Sequence, residues 1–261
     1  MSSNSIPIST KWLLDSVGET GRAVVQALCM LICPKTQQKG TAFLIKEGVV
    51  ISNAHVVEGC IAGEILGISS RGEKVNFTKV VTDKNRDLVA LVPADNLENG
   101  LTLVEEGNIQ VGTQVGTWGY PLGYNGPAPL LTMGYLSGFN DSPPYEKAST
   151  IVKHLVINGA FNPGNSGGPL FVAGSNEVIG VVVSKHAPIT LLVLSAIEAL
   201  EKNPSGFRYH ATDGNGNVHN FSEAQVVAEV LKYFRSMTQV VIGEAVAGAE
   251  VIAFLRANNI L

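Results

Sequence analysis

The sequence has no run of basic residues, no apolar run long enough to cross a bilayer, and no cysteines paired at metal-ligand spacing. Each absence narrows what the chain can do. Basic side chains number 18 against 22 acidic ones, a net charge of −4. Without a cationic cluster nothing marks a nucleic-acid or anionic-membrane surface, and neither partner is expected. The first ten residues are polar and lack a basic segment, so they do not read as a secretory leader. The apolar stretch 23–33 comes late, is interrupted by Gln26 and is too short to span a membrane; it reads as the first strand.

Cysteine is scarce, with only Cys29, Cys33 and Cys60. Cys29 and Cys33 fall on one face of that strand. Four strand residues separate their Cα atoms by roughly 13 Å, beyond disulfide reach. An odd count fits a reducing compartment, so a cytoplasmic home is expected. No metal and no cofactor are expected either, since three cysteines lack the usual pairing. Asp213, Asn215 and Asn217 imitate a calcium loop only in part. Val218 stands where the required glycine belongs, and Ala224 where the bidentate glutamate belongs.

What is present is apolar content of 45%, enough for a large core. The 28 glycines and 12 prolines suit many strands joined by tight turns. Residues 1–10 read as a loose tail. Residues 11–21, with Trp12, Leu13, Leu14 and Val17, predict a short amphipathic helix.

The run Gly164-Asn165-Ser166-Gly167-Gly168-Pro169-Leu170 is the strongest chemical signal. A serine nucleophile needs an exposed hydroxyl and backbone N–H groups aimed at the developing oxyanion, and glycines on both sides let the chain adopt that shape. Taken alone, the run is also compatible with a Gly/Ser/Pro turn between strands. Residues 41–58 read TAFLIKEGVVISNAHVVE, a strand at Phe43-Leu44-Ile45, a turn at Glu47-Gly48 and a second strand at 49–52. That hairpin delivers His55. The run Asn85-Arg86-Asp87 then places an acid directly before the apolar Leu88-Val89-Ala90-Leu91. Asp83 competes for the same role, but Asp87 abuts the apolar run and is preferred.

His55, Asp87 and Ser166 follow the chain order of the chymotrypsin-like triad, which differs from the order in subtilisin and the α/β-hydrolases. Over residues 22–200 the chain resembles a trypsin-like serine protease of the chymotrypsin fold. It is most similar to the HtrA/Deg-type branch through TAFLI, GVVISNAHVV, TDKNRDLVALV, GYPLG, LLTMGYLSG, FNPGNSGGPLF and EVIGVVVS. The resemblance implies a mostly β fold of two six-stranded antiparallel barrels, about 22–97 with His55 and Asp87, and about 109–198 with Ser166. It implies that Ser166 is the nucleophile, His55 the general base, Asp87 its orienting carboxylate, and the N–H groups of Gly164 and Ser166 the oxyanion hole. In secreted relatives a cysteine near the histidine is disulfide-bonded. Here Cys60 would look for its partner near residues 41–43, where there is none.

Two departures matter. Trypsin-type enzymes carry an aspartate before the serine, which pairs with a new N-terminus after activation cleavage; Asn165 offers no such charge. No PDZ module is legible beyond the protease-like region. The resemblance also places the base of the primary specificity pocket at Ala160, followed by Phe161. Without an acid there, small or medium apolar residues are expected before the scissile bond. Val182, Val183 and Ser184 are expected to pair with extended substrate. Lys185 and His186 then read as a solvated turn leading to Pro188.

The last part, 201–261, is expected to be a hairpin within 207–221 and two helices, one capped by Ser222 and Gln225 and carrying Val226, Val227, Val230, Leu231 and Phe234, the other over 239–257. A helix at 191–202 precedes them. This region is either packed on the second barrel or a docking element for an activating protein or a second copy. Truncation after about residue 204 should separate the two. Three functions stay open: a serine endopeptidase, a silent protease-fold module that binds peptides, and a partner-activated effector protease of a bacterial defence or signalling system.

Overall fold

The computed structural model describes residues 6–141, 151–183, 191–212, 216, 218–237 and 242–261. The chain forms two compact units, one of residues 1–185 with 241–261 and one of residues 186–240.

The first unit opens on two helices, α1 (Ile8–Ser16) and α2 (Glu19–Ala27), where one helix over 11–21 was expected. The break falls at Val17-Gly18. Val24 and Val25 bury on α2, and Leu28 continues that apolar face at helical spacing. The first strand therefore starts five residues later than the apolar stretch suggests.

Seven strands follow: β1 (Leu28–Cys33), β2 (Gln38–Leu44), β3 (Val50–Ser52), β4 (Leu66–Ser69), β5 (Lys74–Val75), β6 (Phe77–Asp83) and β7 (Leu88–Pro93). They form a curled sheet in the order β5-β4-β1-β2-β3-β7-β6. The predicted hairpin is β2–β3, with Phe43 opposite Ile51 and a turn at Glu47-Gly48. The expected closed six-stranded barrel is not formed in this half. Its edge strand β5 is only two residues long, too short to carry a closing ladder.

The second half is closed. It contains β8 (Thr102–Leu103), β9 (Gln114–Gly119), β10 (Leu130–Asn140), β11 (His154–Asn158), β12 (Pro169–Val172) and β13 (Glu177–Val183). In the other unit lie α3 (Leu191–Glu201), the hairpin β14 (Arg208–Thr212) and β15 (Val218–Ser222), and α4 (Glu223–Met237). Ser222 and Gln225 exchange the bonds of a capping box at the start of α4, at 2.8 and 3.2 Å. Asp213, Asn215 and Asn217 lie outside the described residues.

Residues 243–257 are not one helix. Gly243–Ala247 is a strand, β16, and only Gly248–Ala257 is helical, α5. Strand β16 lies between β11 and β13, with Val246 opposite both His154 and Val181. Pairing of β12 with β13 completes a ring of six antiparallel strands, β12-β9-β10-β11-β16-β13, and β8 adds in parallel to β13. The short run of Gly243, Glu244 and alanines reads equally as helix or strand, and the open ladder edges of β11 and β13 decide for strand. Helix α5 is no appendage either, because Val251, Phe254 and Leu255 are buried in the same cluster as Phe43, Ile51, Leu88 and Leu91.

Cys33 and Cys60 form a disulfide, with Cα atoms 6.1 Å apart. This corrects the reading of three unpaired cysteines. Cys33 ends β1, and the chain from the His55 turn comes back beside it. Only Cys29 is free, and burial pushes its thiol up to about 12. No helix among the described residues is long and apolar enough to cross a membrane.

Candidate active site

His55 rides on a single 3₁₀ turn, Ala54–Val57, directly after β3. Asp87 closes the tight turn between β6 and β7, where Asp83 faces Leu88 in register. Its φ is +53°, a left-handed value that is uncommon outside glycine, asparagine and aspartate. The Asp87 carboxylate meets His55 twice. Its Oδ2 lies 2.6 Å from His55 Nδ1, and its Oδ1 accepts the His55 backbone N–H at 3.0 Å. The Asp87 carbonyl in turn accepts the Ala54 N–H at 3.1 Å and the Asn53 side-chain amide at 3.0 Å. Four bonds thus fasten one aspartate to three consecutive residues of the histidine turn.

An ionised carboxylate only accepts, so Nδ1 is the nitrogen that carries the proton, and in the neutral imidazole Nε2 keeps its lone pair. The Asp87 side chain is 5% exposed, while the His55 side chain is 32% exposed. The carboxylate is therefore shielded from water, and the imidazole can reach a reactant. Asp83, the competing acid, is committed elsewhere: it pairs with Arg86 at 2.8 Å.

Ser166 is buried and sits in the turn that leads into β12. Two neighbouring glycines have no alternative. Gly164 has φ +95°, and a Cβ there would lie 2.4 Å from the Tyr120 carbonyl. Gly167 has φ +84°, and a Cβ would lie 2.1 Å from both Ser52 Oγ and the Thr41 carbonyl. The serine turn is thus pressed against the first sheet by close backbone approach.

Thr41 makes that contact specific. Its N–H donates to the Ser166 carbonyl at 2.8 Å, and its hydroxyl donates to the Gly164 carbonyl at 2.7 Å. The same hydroxyl accepts the Tyr120 N–H at 3.0 Å, and the Thr41 carbonyl accepts the Ser52 hydroxyl at 2.7 Å. Gly40 completes the joint. A methyl at Gly40 would meet Val56 at 2.6 Å and the Ser166 carbonyl at 3.1 Å, so the turns carrying His55 and Ser166 meet across it. Neither Thr41 nor Gly40 carries a motif that marks it as part of the site. The signal available was a polar residue opening the apolar run 41–45, which alternation alone would leave unexplained.

Asn165 is buried, and its side-chain amide has no hydrogen-bond partner among the described residues. Of the expected pocket residues, Phe161 and Val182 share a buried cluster with Ala245 inside the second barrel, and Ala160 is half-buried at its edge. The Phe161 ring lies flush on Gly243, where a Cβ would come within 2.3 Å of it. Val182 is not open to a substrate backbone. Its N–H donates to Gly168 O at 2.9 Å and its carbonyl accepts the Gly167 N–H at 2.8 Å. Val183, at the end of β13, is buried and pairs with Glu244 of β16, so it is not open to a substrate backbone either. Ser184, Lys185, His186 and Pro188 lie outside the described residues. No cluster of three or more metal-ligating side chains occurs among the described residues.

Known proteins share this architecture. The sequence model of the trypsin-like peptidase domain matches residues 40–181. A probable periplasmic serine endoprotease DegP-like of Halomonas elongata is 39% identical over 144 residues, 54% of this chain and 28% of that protein. Serine protease Do-like HtrB of Bacillus subtilis is 33% identical over 135 residues, 51% of this chain and 29% of that protein. The chain spans less than a third of the length of these curated relatives. Among solved structures, the inactive form of the Rv3671c protease of M. tuberculosis superposes with a TM-score of 0.60 at 18% identity, covering 94% of each chain. The HtrA-type protease AlgW with tripeptide gives 0.54 at 22% identity, covering 75% of this chain and 69% of that one. At such identities the structural likeness is one of fold. The sequence model covers more than half of the chain, and the protein belongs to the trypsin-like peptidase domain family, on its HtrA/Deg-like side.

Proposed function

We propose that the protein is a serine endopeptidase that works through His55, Asp87 and Ser166. The observation that carries this reading is the 2.6 Å contact between His55 Nδ1 and Asp87 Oδ2 beside the glycine-flanked serine turn. With Nδ1–H held by the carboxylate, Nε2 takes the proton of Ser166 Oγ as that oxygen attacks the scissile carbonyl. The C–O bond forms, and the carbonyl π electrons move to an oxyanion. The N–H groups of Gly164 and Ser166 receive that charge. Collapse expels the amine, which takes the proton from His55, and water repeats the cycle on the acyl-enzyme.

Small or medium apolar side chains are the residues expected before the scissile bond. Ala160 brings no charge, and the Phe161 ring against Gly243 fills volume that a long side chain would need. The Cys33–Cys60 disulfide favours an oxidising compartment, so the cytoplasmic expectation loses its ground. Protein or peptide substrates are the partners this reading requires.

Cleavage profiling on a denatured protein mixture tests it, with Ser166→Ala as the blank. Cuts after Val, Ala, Ile or Leu are expected. Dominant cuts after Lys or Arg would overturn the pocket assignment, and cleavage that survives Ser166→Ala would overturn the nucleophile.

A further inference from the structure

We infer that Arg86 and Glu250 are positioning residues for this reaction: through them the last helix of the chain holds the turn that presents Asp87 to His55. The inference rests on the reading of Asp87 and His55 as triad members.

The turn needs holding. A non-glycine residue in the left-handed region persists only where its surroundings over-determine it, and Asp87 is such a residue. Asp83 fixes the start of the turn, its Oδ1 accepting the N–H groups of Asn85 at 2.9 Å and Arg86 at 3.1 Å. The Arg86 guanidinium then forks. Nη1 donates to Asp83 Oδ2 at 2.8 Å and Nε donates to Glu250 Oε2 at 2.9 Å. Glu250 lies 164 positions further along the chain, in the first turn of α5. Arg86 therefore anchors the residue before Asp87 to a distant, rigid element.

Glu250 is itself fixed from the other side. Its Oε1 accepts the Lys153 backbone N–H at 3.2 Å, just before β11. Lys153 Nζ donates to Glu106 Oε1 at 2.7 Å, and Glu106 Oε2 accepts the Ala249 N–H at 3.0 Å. Burial alone would raise the Glu106 carboxyl, but the Lys153 and Ala249 bonds outweigh it and hold the group below its ordinary range. Helix α5 is thus tied at its N-terminus to the second barrel and by Glu250 to the Asp87 turn. Both oxygens of Glu250 face donors. A glutamine there can accept from only one of them, and whichever way its amide turns, an N–H₂ group faces an N–H. Only a carboxylate serves both contacts.

The test uses the full chain, with two readouts. One is the low-field proton resonance of His55 Nδ1–H. The other is the rate of Ser166 labelling by a fluorophosphonate, resolved into a maximal rate and a half-saturating concentration. Glu250→Gln and Arg86→Gln are each expected to lower the maximal rate about tenfold, within the roughly hundredfold that a 1 Å misplacement of a catalytic group can cost. The half-saturating concentration should change less than about twofold, because the proposal leaves the binding pocket untouched. The His55 resonance should move upfield or broaden. The double variant should lose less than the product of the two single losses, because the Arg86–Glu250 bond is common to both. Arg86→Lys, which keeps the charge but loses the fork, should fall with them and covers the case in which Arg86→Gln does not fold. A lowered unfolding midpoint with resonance and labelling unchanged would overturn the proposal. If the wild type is not labelled at Ser166, the proposed activity fails separately, and the resonance alone decides whether Arg86 and Glu250 hold the His55–Asp87 bond.

Discussion

The Thr41 hydroxyl donates to the Gly164 carbonyl at 2.7 Å, across 123 residues of sequence. With the 2.8 Å bond from the Thr41 N–H to the Ser166 carbonyl, it makes one residue of the first sheet the seat of the serine turn. Thr41 is fully buried, so none of these bonds is exchanged with water at no cost.

Thr41→Val keeps the shape and removes the hydroxyl. It leaves the Tyr120 N–H without its acceptor and the Gly164 carbonyl without its donor. Each buried orphan costs about 1–3 kcal/mol, so urea unfolding should show a loss in that range or above. Ser166 labelling should slow as well, because Gly164 is no longer held. Stability within about 0.5 kcal/mol of wild type, the scale of an ordinary surface change, would contradict the role given to Thr41.

Gly167→Ala and Gly48→Ala separate backbone strain from collision. Both positions have positive φ, +84° and +76°. At Gly48 a Cβ meets nothing within 4 Å, and at Gly167 it meets Ser52 Oγ and the Thr41 carbonyl at 2.1 Å. Gly48→Ala is predicted to cost about 1 kcal/mol, the scale of a left-handed alanine. Gly167→Ala is predicted to cost several times more or to prevent folding. Equal shifts in the two unfolding midpoints would contradict the close approach of the serine turn to the first sheet.

Residues 186–240 should be removable, whereas the C-terminus should not. Val183 and Glu244 face each other in the antiparallel β13–β16 pair, so the ends of the intervening segment lie within about 5 Å. Replacing 186–240 by a short Gly/Ser linker is predicted to leave a cooperatively folding chain. Truncation after residue 204 removes β16, the sixth strand of the closed barrel, and with it α5 and its buried Phe254. That product is predicted not to fold. Thermal unfolding of both products checks this, and a folded truncation would overturn the topology.

The Cys33–Cys60 disulfide closes a loop of 27 residues in sequence separation. Chain-entropy arguments assign such a loop about 3.5 kcal/mol, with measured cases running from about 0 to 5. Reduction, or Cys33→Ala with Cys60→Ala, should lower the unfolding midpoint accordingly. It should also loosen the segment after His55, seen as faster amide exchange over residues 54–60. An unchanged midpoint under reductant would show that the bond adds nothing to the fold.

The sequence made the local chemistry legible and the long-range closure illegible. The β2–β3 hairpin could be read because Glu47-Gly48 supplies a turn between two apolar strands. Asp87 could be preferred over Asp83 because it borders the buried run Leu88-Val89-Ala90-Leu91, and its carboxylate does lie against His55. Gly243–Ala247 could not be read as a strand. Five residues carry too short a period, and what makes them a strand is the vacancy between β11 and β13. The Cys33–Cys60 bond was hidden for a related reason. Cys60 carries a signal in its place after His55, but its partner Cys33 lies on β1 rather than near residues 41–43, and their approach depends on how β1 runs beside that turn. Arg86 and Glu250 meet only because α5 returns to the first sheet, a relationship that no spacing encodes.

The most direct measurement is the intact mass of the purified chain after a fluorophosphonate probe, beside Ser166→Ala, His55→Ala and Asp87→Ala. One adduct is expected on the wild type, mapped to Ser166, none on Ser166→Ala, and labelling slowed at least about a hundredfold by His55→Ala and Asp87→Ala. An adduct that persists on Ser166→Ala, or a rate indifferent to His55 and Asp87, would contradict the assignment of the triad.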